Sequence, residues 1–205
     1  MDAPERRANI RVQLSKNTQE CNYPRGALVM VAGAGGGYIG PGAIYPDLAK
    51  EMVQYPNLIS VQMDYRYPGD LNPCIQDLIE TLDLLASKCN IERAVLVGWS
   101  FGGAVVISAG AQHNLVKAIA TVASQTAGTN SVSQLAQQGK ACLFIHGKAD
   151  QCLPPQCSEQ LYRLAGQPKE LLLYDGDNHG VTMHRNEANE KIKQFALEYL
   201  RKPTK

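Results

Sequence analysis

A serine flanked by glycines, placed between an apolar run and a run of small residues, constrains the fold of this chain more than any other feature. The apolar run at residues 94–97 is typical of a buried strand, and it leads into a G-x-S-x-G match at residues 98–102. A serine on a tight strand-to-helix turn has a strained backbone, so the residues two before and two after it must be small to let strand and helix pass closely. Gly98 and Gly102 occupy these positions. The pattern therefore predicts a strand, a sharp turn that carries Ser100, and a helix.

Ser100 is a candidate nucleophile, and candidate partners follow it in the chain. At the start of a helix, partial positive charge and free backbone N–H groups favour an anion, so an oxyanion formed there would be stabilised. Apolar runs at residues 141–145 and 170–174 are followed by Asp150 and His179 respectively. Each candidate thus comes just after a predicted strand, at the edge where open α/β sheets collect their sites.

The order serine, aspartate, histidine resembles that of the α/β-hydrolase superfamily, and the resemblance extends from about Gly26 to the C-terminus. It implies a single-domain α/β fold in which a mostly parallel sheet carries helices on both faces. It also implies Ser100 as nucleophile, Asp150 as acid and His179 as base. In size the chain resembles compact members such as dienelactone-hydrolase-like proteins and small carboxylesterases. Dienelactone hydrolases use a cysteine nucleophile, so their substrate is not implied here.

A glycine-rich loop at residues 33–37 follows the apolar run at 27–32. It lacks the Lys-Ser/Thr ending of a P-loop, and no helix is predicted at its end, so a phosphate site is not indicated. In α/β-hydrolases the loop after this strand donates an N–H to the oxyanion hole and usually begins His-Gly, whereas this chain has Ala-Gly. The departure removes a side chain commonly used to brace the loop. The resemblance implies the amides of Ala34 and Phe101 as oxyanion donors, with Gly35 as the alternative to Ala34.

Several residues near these turns are candidate substrate contacts. Tyr65 and Tyr67 follow the strand predicted at residues 58–63, although aromatic residues in loops equally often belong to the core. The other candidates all lie in or next to the predicted site loops; they are Gly35, Trp99, Gln125 and Cys152. For Cys152, the role of a small buried hydrophobic residue is the commoner one.

Two further carboxylates compete with Asp150 for the role of the acid. Asp175 and Asp177 lie on the same loop as His179 and are able to orient it, but the family pattern favours Asp150. His146, which precedes a glycine, is interpreted as a structural histidine.

No metal or cofactor is predicted. His179 and His184 are five residues apart, and no third ligand stands at metal-site spacing.

Length and charge favour one small domain. The chain of 205 residues is 44% hydrophobic, within the range in which a single α/β domain buries most of its apolar surface. We expect residues 1–25 to form an edge strand and a loop in front of a core at residues 26–205. With 20 Lys+Arg against 19 Asp+Glu and no run of like charges, a nucleic-acid partner is not expected.

The sequence also predicts a cytoplasmic location. No apolar stretch reaches the roughly 18 residues of a membrane span, so no membrane association is expected. The charged residues 1–7 have no apolar region behind them, which argues against a secretory signal. The six cysteines lack CxxC spacing and are interpreted as reduced thiols.

These observations together predict a lidless serine hydrolase. Family members with a lid usually insert it between the strand at 116–122 and the one that ends at His146, and residues 127–140 leave no room for it. The predicted reaction is hydrolysis of an ester, thioester or similar acyl bond of a small molecule through an acyl-enzyme. Two alternatives stay open: a binding or scaffold module with a relic triad, which the missing His-Gly favours, and acyl transfer or a lyase step on the same fold.

Overall fold

A seven-stranded sheet lies at the centre of the computed structural model, which describes residues 8–15 and 25–202. The strands are β1 (Asn9–Leu14), β2 (Gly26–Val31), β3 (Leu58–Asp64), β4 (Arg93–Trp99), β5 (Val116–Val122), β6 (Ala141–Gly147) and β7 (Lys169–Tyr174). Their order across the sheet is β1-β3-β2-β4-β5-β6-β7. Only β1 is antiparallel to its neighbour among these strands. The predicted mostly parallel sheet is therefore confirmed.

The burial of the strands follows their sequences. Every residue of β2 and of β6 is buried, as expected for apolar strands covered on both faces. β1 alternates in sequence and lies at one edge of the sheet, where it pairs with β3. Two sequence predictions lie outside the described residues. One is the absence of a secretory signal at residues 1–7, and the other is the loop predicted at residues 16–24.

Helices cover both faces of the sheet. They are α1 (Tyr45–Met52), α2 (Leu71–Cys89), α3 (Phe101–Gln112), α4 (Val132–Gln137), α5 (Gln156–Leu164) and α6 (Arg185–Leu200), with a short 3₁₀ turn at Pro41–Ala43. α2, α3, α4 and α5 contribute to the apolar core on one face, and α1 and α6 to the core on the other. Pro73 behind Asn72 is typical of a helix start, but α2 begins two residues earlier, because proline is tolerated throughout the first turn, where its N–H is not needed.

The parallel strands bring the predicted site loops to one edge of the sheet. The loops that carry Ala34, Ser100, Asp150 and His179 follow the C-terminal ends of β2, β4, β6 and β7. Between β5 and β6, the described chain holds α4 and no further helix or strand, so no lid is inserted there.

Two further sequence predictions concern membrane-spanning helices and the state of the cysteines. No helix among residues 8–15 and 25–202 is long and apolar enough to cross a membrane. The cysteines within these ranges are free thiols, namely Cys74, Cys89, Cys142, Cys152 and Cys157, whereas Cys21 lies outside the described residues.

Candidate active site

Ser100 stands on a strained turn between β4 and α3. Its backbone has φ 56° and ψ −120°, a combination that non-glycine residues rarely adopt. Two hydrogen bonds hold the turn: Ser100 N–H donates to the Val122 carbonyl at 2.8 Å, and Gly103 N–H donates to the Ser100 carbonyl at 3.0 Å. Such strain persists only where the surrounding structure holds it, which makes the turn a candidate functional feature.

The glycines around Ser100 are required by close backbone approach. A Cβ on Gly98 would lie 2.2 Å from the Gly102 carbonyl oxygen, and a Cβ on Gly102 would lie 2.3 Å from that of Ala32. A Cβ on Gly103 would lie 2.1 Å from Ser124 Oγ. Side chains do not fit at these distances, so the steric interpretation of the motif is confirmed at both flanking positions and extends to a third glycine.

His179 and Asp150 form a direct hydrogen bond across two loops. The Nδ1 atom of His179 lies 2.7 Å from Asp150 Oδ2. Because an ionised carboxylate only accepts, Nδ1 carries the proton and Nε2 of the neutral ring is left as an acceptor. The Asp150 side chain is fully buried, whereas that of His179 is 21% exposed. This arrangement fits a base whose tautomer is fixed by a buried acid.

Backbone groups also hold the Asp150 carboxylate. Its Oδ1 atom accepts the N–H groups of Cys152 at 2.7 Å and Leu153 at 3.0 Å. Burial by itself raises the pKa of Asp150, but hydrogen bonds from these backbone groups and from His179 outweigh burial and lower the pKa below its ordinary value. Asp150 is therefore ionised at neutral pH and fixed in orientation.

A second histidine contacts the same carboxylate. His146, which sequence analysis interpreted as structural, is fully buried at the end of β6 with its Nε2 atom 3.1 Å from Asp150 Oδ2. Sequence reasoning missed this contact, although the spacing of four residues behind a predicted strand end was a usable signal.

A cavity of about 290 Å³ opens beside the serine. It is lined by Gly33, Ala34, Gly35, Gly36, Trp99, Ser100 and His179. The indole N–H of Trp99 donates to the His179 carbonyl at 2.9 Å, and the two rings lie 5.5 Å apart, so the Trp99 side chain helps to position the histidine. Within the described ranges no residue forms a hydrogen bond with the Ser100 hydroxyl. A larger open hollow of about 400 Å³, between β1 and α2, includes none of the predicted site residues.

The two competing carboxylates have other partners. Asp177 is buried, and its Oδ2 accepts both the backbone N–H and the Nδ1–H of His184, each at 2.9 Å. Burial raises the pKa of Asp177, but these and further hydrogen bonds lower it below its ordinary value. Asp175 is exposed and forms an ion pair with Lys148 at 2.7 Å. Of the three carboxylates, Asp150 is the one that is hydrogen-bonded to His179.

Asp64, at the end of β3, braces the glycine-rich loop. Its Oδ1 accepts the N–H groups of Gly37 at 2.8 Å and Tyr65 at 3.0 Å. Gly36 and Gly37 have φ of 72° and 93°, in the region that favours glycine, and a Cβ on Gly36 would lie 2.5 Å from Asp64 Oδ1. The Ala-Gly sequence therefore does not leave the loop unsupported. Sequence reasoning missed Asp64, whose one signal was a carboxylate at the end of a buried strand.

The predicted oxyanion donors are available. Within the described chain, the N–H groups of Ala34 and Phe101 donate to no backbone or side-chain acceptor. Ala34 lines the cavity together with the alternative donor Gly35, and the Phe101 N–H lies in the first turn of α3. Unpaired N–H groups at these positions are able to bind an anion.

The structure corrects the prediction that Tyr65 forms a pocket wall. Tyr65 is 4% exposed; its hydroxyl donates to the Ala32 carbonyl at 3.0 Å, and its ring meets that of Phe101 edge to face at 6.1 Å. Burial raises the pKa of Tyr65 well above its ordinary value. The residue is thus a core side chain that supports the Ala32 backbone and packs against the Phe101 ring.

The other predicted contacts divide into two groups. Gly35 and Trp99 line the cavity, whereas Tyr67 and Gln125 do not. Tyr67 is 48% exposed, and the Gln125 side chain donates to the Ala127 carbonyl at 3.0 Å. Tyr67 and Gln125 therefore lie outside the lining of this cavity.

Cys152 is exposed and lies beside the Asp150–His179 pair. One ligand-type atom of each of these three residues lies within 4.8 Å of the other two. The Asp150 carboxylate already accepts hydrogen bonds from two backbone N–H groups and from two imidazoles. The cluster thus fits a hydrogen-bonded acid and base with a neighbouring thiol better than a metal centre.

Comparisons with known proteins give information on the fold. No protein-family model matches the sequence. A match 116 residues long to the uncharacterized protein YfhR of Escherichia coli K12 is 34% identical and covers 45% of this chain and 40% of that protein. The match therefore spans less than half the length of this curated relative.

Solved structures match nearly the whole chain. Est1E from Butyrivibrio proteoclasticus is similar with a TM-score of 0.76 at 15% identity, covering 97% of this chain and 96% of that one. XC6422 from Xanthomonas campestris, described as an α/β serine hydrolase without lid, gives 0.74 at 18% identity, with 97% and 91% covered. A dienelactone hydrolase from Anabaena variabilis gives 0.77 at 13% identity, with 95% and 93% covered. The protein therefore has the α/β-hydrolase fold.

Proposed function

We propose that the protein is a serine hydrolase that cleaves an ester, thioester or related acyl bond of a small molecule through Ser100, Asp150 and His179. The observation that carries the proposal is the 2.7 Å hydrogen bond between His179 Nδ1 and Asp150 Oδ2, beside a cavity that His179 shares with the strained Ser100. Neighbours of the same fold include esterases and serine hydrolases, which supports hydrolase chemistry.

The first half of the reaction forms an acyl-enzyme. Nε2 of His179 takes the proton of Ser100 as Oγ bonds to the substrate carbonyl carbon, and Asp150 stabilises the imidazolium that results. When the tetrahedral intermediate collapses, the imidazolium gives its proton to the leaving group. In the second half, water attacks the acyl carbon in the same way and releases the acid and free Ser100.

The oxyanion of each intermediate binds backbone N–H groups. Phe101 supplies one donor and Ala34 the other, with Gly35 as the alternative. Each such donor contributes about 3 kcal/mol to transition-state stabilisation in measured serine hydrolases. The contribution depends on a fixed geometry, which the contacts of Asp64 with the loop provide.

The cavity favours small, uncharged acyl groups. The described residues that line it are glycines, one alanine, Trp99 and the two proposed catalytic side chains, and none of them is a carboxylate, a lysine or an arginine. A volume of about 290 Å³ lies at the lower end of the range for small-molecule sites. Short neutral esters, such as p-nitrophenyl acetate, are the substrates to try first.

Labelling with a fluorophosphonate tests the proposal directly. An activated serine should gain one adduct, detected by intact mass and located at Ser100 by peptide mapping. Ser100→Ala should gain none and lose turnover of p-nitrophenyl acetate by more than about a thousandfold. Ser87→Ala, at an exposed serine of α2, is the matched control and should behave as wild type. No adduct on the folded wild-type protein would indicate a binding module instead. When an alcohol is added to the reaction, formation of the free acid indicates hydrolysis, and formation of a new ester indicates acyl transfer.

A further inference from the structure

The contacts of His146 define its protonation. Its Nε2 atom lies 3.0 Å from the Leu153 carbonyl oxygen and 3.1 Å from Asp150 Oδ2, and its Nδ1 atom lies 2.7 Å from Ser158 Oγ. A carbonyl and a carboxylate both only accept, so Nε2 must carry the proton. Nδ1 of the neutral ring then accepts the Ser158 hydroxyl proton. Every polar atom of this buried ring has a partner.

The ring stays neutral in this environment. Burial lowers the pKa of His146, and the hydrogen bonds from Nε2 to Leu153 and Asp150 oppose that shift without overcoming it. The Nε2–H group of the neutral ring therefore remains a hydrogen-bond donor at neutral pH.

One carboxylate oxygen thus serves two imidazoles. Asp150 Oδ2 accepts the Nδ1–H of His179 at 2.7 Å and the Nε2–H of His146 at 3.1 Å. A donor that stabilises a carboxylate lowers the proton affinity of the carboxylate, and so weakens its stabilisation of a second, positively charged partner. Because both bonds end on the same atom, the donor from His146 also fixes the direction in which that oxygen points.

We propose that His146, held by Ser158, is a positioning residue that acts through Asp150: its N–H group fixes the direction of Oδ2 toward His179 and takes up part of the negative charge that this oxygen presents to His179. The inference rests on the proposed function, because it concerns the base of the same site. It assigns to the histidine at the end of β6 a role in tuning that base.

Two thiols of the described chain also lie close enough to this carboxylate to affect the measurements. Cys152 lies beside Asp150 and His179, and the Cys157 thiol on α5 interacts with the charge of Asp150. Burial raises the pKa of Cys157, with a smaller contribution from Asp150. Measurements repeated in a Cys152→Ser background separate titration of the exposed thiol from titration of the imidazoles.

The test compares two replacements of His146. His146→Leu removes the donor, so Asp150 should stabilise protonated His179 more strongly and the midpoint of the pH profile of kcat/KM should rise by about half a pH unit or more. Its kcat above the midpoint should fall about three- to tenfold, as the freed carboxylate loses its fixed direction. His146→Gln places an amide N–H where Nε2 stood and should restore both values toward wild type. His113→Leu removes another histidine bonded to a carboxylate, at a surface site next to Asp83, and should change neither.

A second readout does not depend on turnover. The chain has 4 histidines, so NMR titration of the ring carbons resolves His179 individually, and its pKa should rise in His146→Leu but not in His113→Leu. If His146→Leu fails to fold, Ser158→Ala carries the test, since it frees the ring and should shift the midpoint in the same direction by a smaller amount. Unchanged titration of His179 in a folded His146→Leu protein would overturn the proposal. Absence of fluorophosphonate labelling in the wild type would instead overturn the proposed function, while the titration still reports on the link between the two imidazoles.

Discussion

Replacing Asp150 by asparagine should remove most turnover, and the hydrogen bonds around the carboxylate explain how. Oδ1 accepts the N–H groups of Cys152 and Leu153, which require an oxygen at that position. The asparagine must therefore place its amide oxygen there and its NH2 group at the position of Oδ2, opposite His179 Nδ1. Because NH2 only donates, Nδ1 becomes an acceptor and the ring proton moves to Nε2. A ring with its proton on Nε2 cannot accept the proton of Ser100.

The expected loss of activity is large compared with the loss of stability. The same exchange in a Ser-His-Asp triad on another fold lowers kcat by about 10⁴, which corresponds to about 5 kcal/mol of transition-state stabilisation. The new NH2 group also faces the Nε2–H of His146, and two opposed buried donors cost about 1–3 kcal/mol of folding stability. For a chain of this size that lowers the Tm by about 2–12 °C.

The assay measures kcat/KM for p-nitrophenyl acetate beside the Tm of each variant. Asp177→Asn is the matched control: it also replaces a buried, hydrogen-bonded aspartate, but one whose partners are His184 and backbone groups. It should cost stability and leave activity within about tenfold of wild type. Asp175→Asn, at an exposed position paired with Lys148, should change neither value appreciably.

Two results would refute this reasoning. If Asp177→Asn loses most of its activity and Asp150→Asn keeps it, Asp177 on the histidine loop is the acid, and the rest of the mechanism is unchanged. If all three replacements are mild and activity persists without His179, the triad itself is wrong.

Three further predictions follow from the loops around the site. Gly103→Ala brings a Cβ within 2.1 Å of Ser124 Oγ and should lower the Tm clearly, whereas Gly35→Ala, with no atom within 4 Å of the added Cβ, should leave it unchanged; equal melting temperatures would contradict the steric argument. Asp64→Ala removes the acceptor for Gly37 N–H and should reduce kcat by up to about 100-fold, while Asp64→Asn keeps an oxygen there and should retain most activity. Because no lid is inserted, rates on a series of acyl esters should rise smoothly through the micelle threshold; a sharp jump there would contradict a lidless site.

The sequence predicted the sheet and the serine turn well, because both depend on local requirements. A strand covered on both faces must be apolar throughout, so the run at residues 94–97 identifies β4 directly. Likewise, Gly98 and Gly102 are fixed by contacts between backbone atoms, which leave no alternative to glycine. Such constraints can be recognised from one short segment of the sequence.

The direction in which a side chain points at the end of a strand could not be predicted from the local sequence. Tyr65 directly follows β3, at the edge of the sheet where the site lies. Its hydroxyl donates to the Ala32 carbonyl and its ring packs against Phe101, so the side chain is buried in the core. These partners lie far from it in sequence. No local pattern distinguishes an aromatic residue with such partners from one that faces a cavity.

The choice among the three carboxylates was likewise a matter of tertiary contact. Asp150 and Asp177 are both buried, and hydrogen bonds lower both pKa values. They differ in their imidazole partners: His179 for Asp150 and His184 for Asp177. Sequence order favoured Asp150 through a family resemblance, and the distances supply a physical basis for the same choice.

The support of the glycine-rich loop shows how a residue missing from a motif is replaced from a neighbouring strand. The end of β3 holds the segment at residues 32–38 at three points: Gln62 donates to the Tyr38 carbonyl at 2.5 Å, Asp64 accepts the Gly37 N–H, and Tyr65 donates to the Ala32 carbonyl. Since an oxyanion donor is effective only when its position is set before the reaction, the support matters more than the identity of the first loop residue. The sequence Ala-Gly in place of His-Gly is therefore weak grounds for a relic site. This arrangement predicts that substitutions at the end of β3, although they lie outside the cavity lining, lower activity.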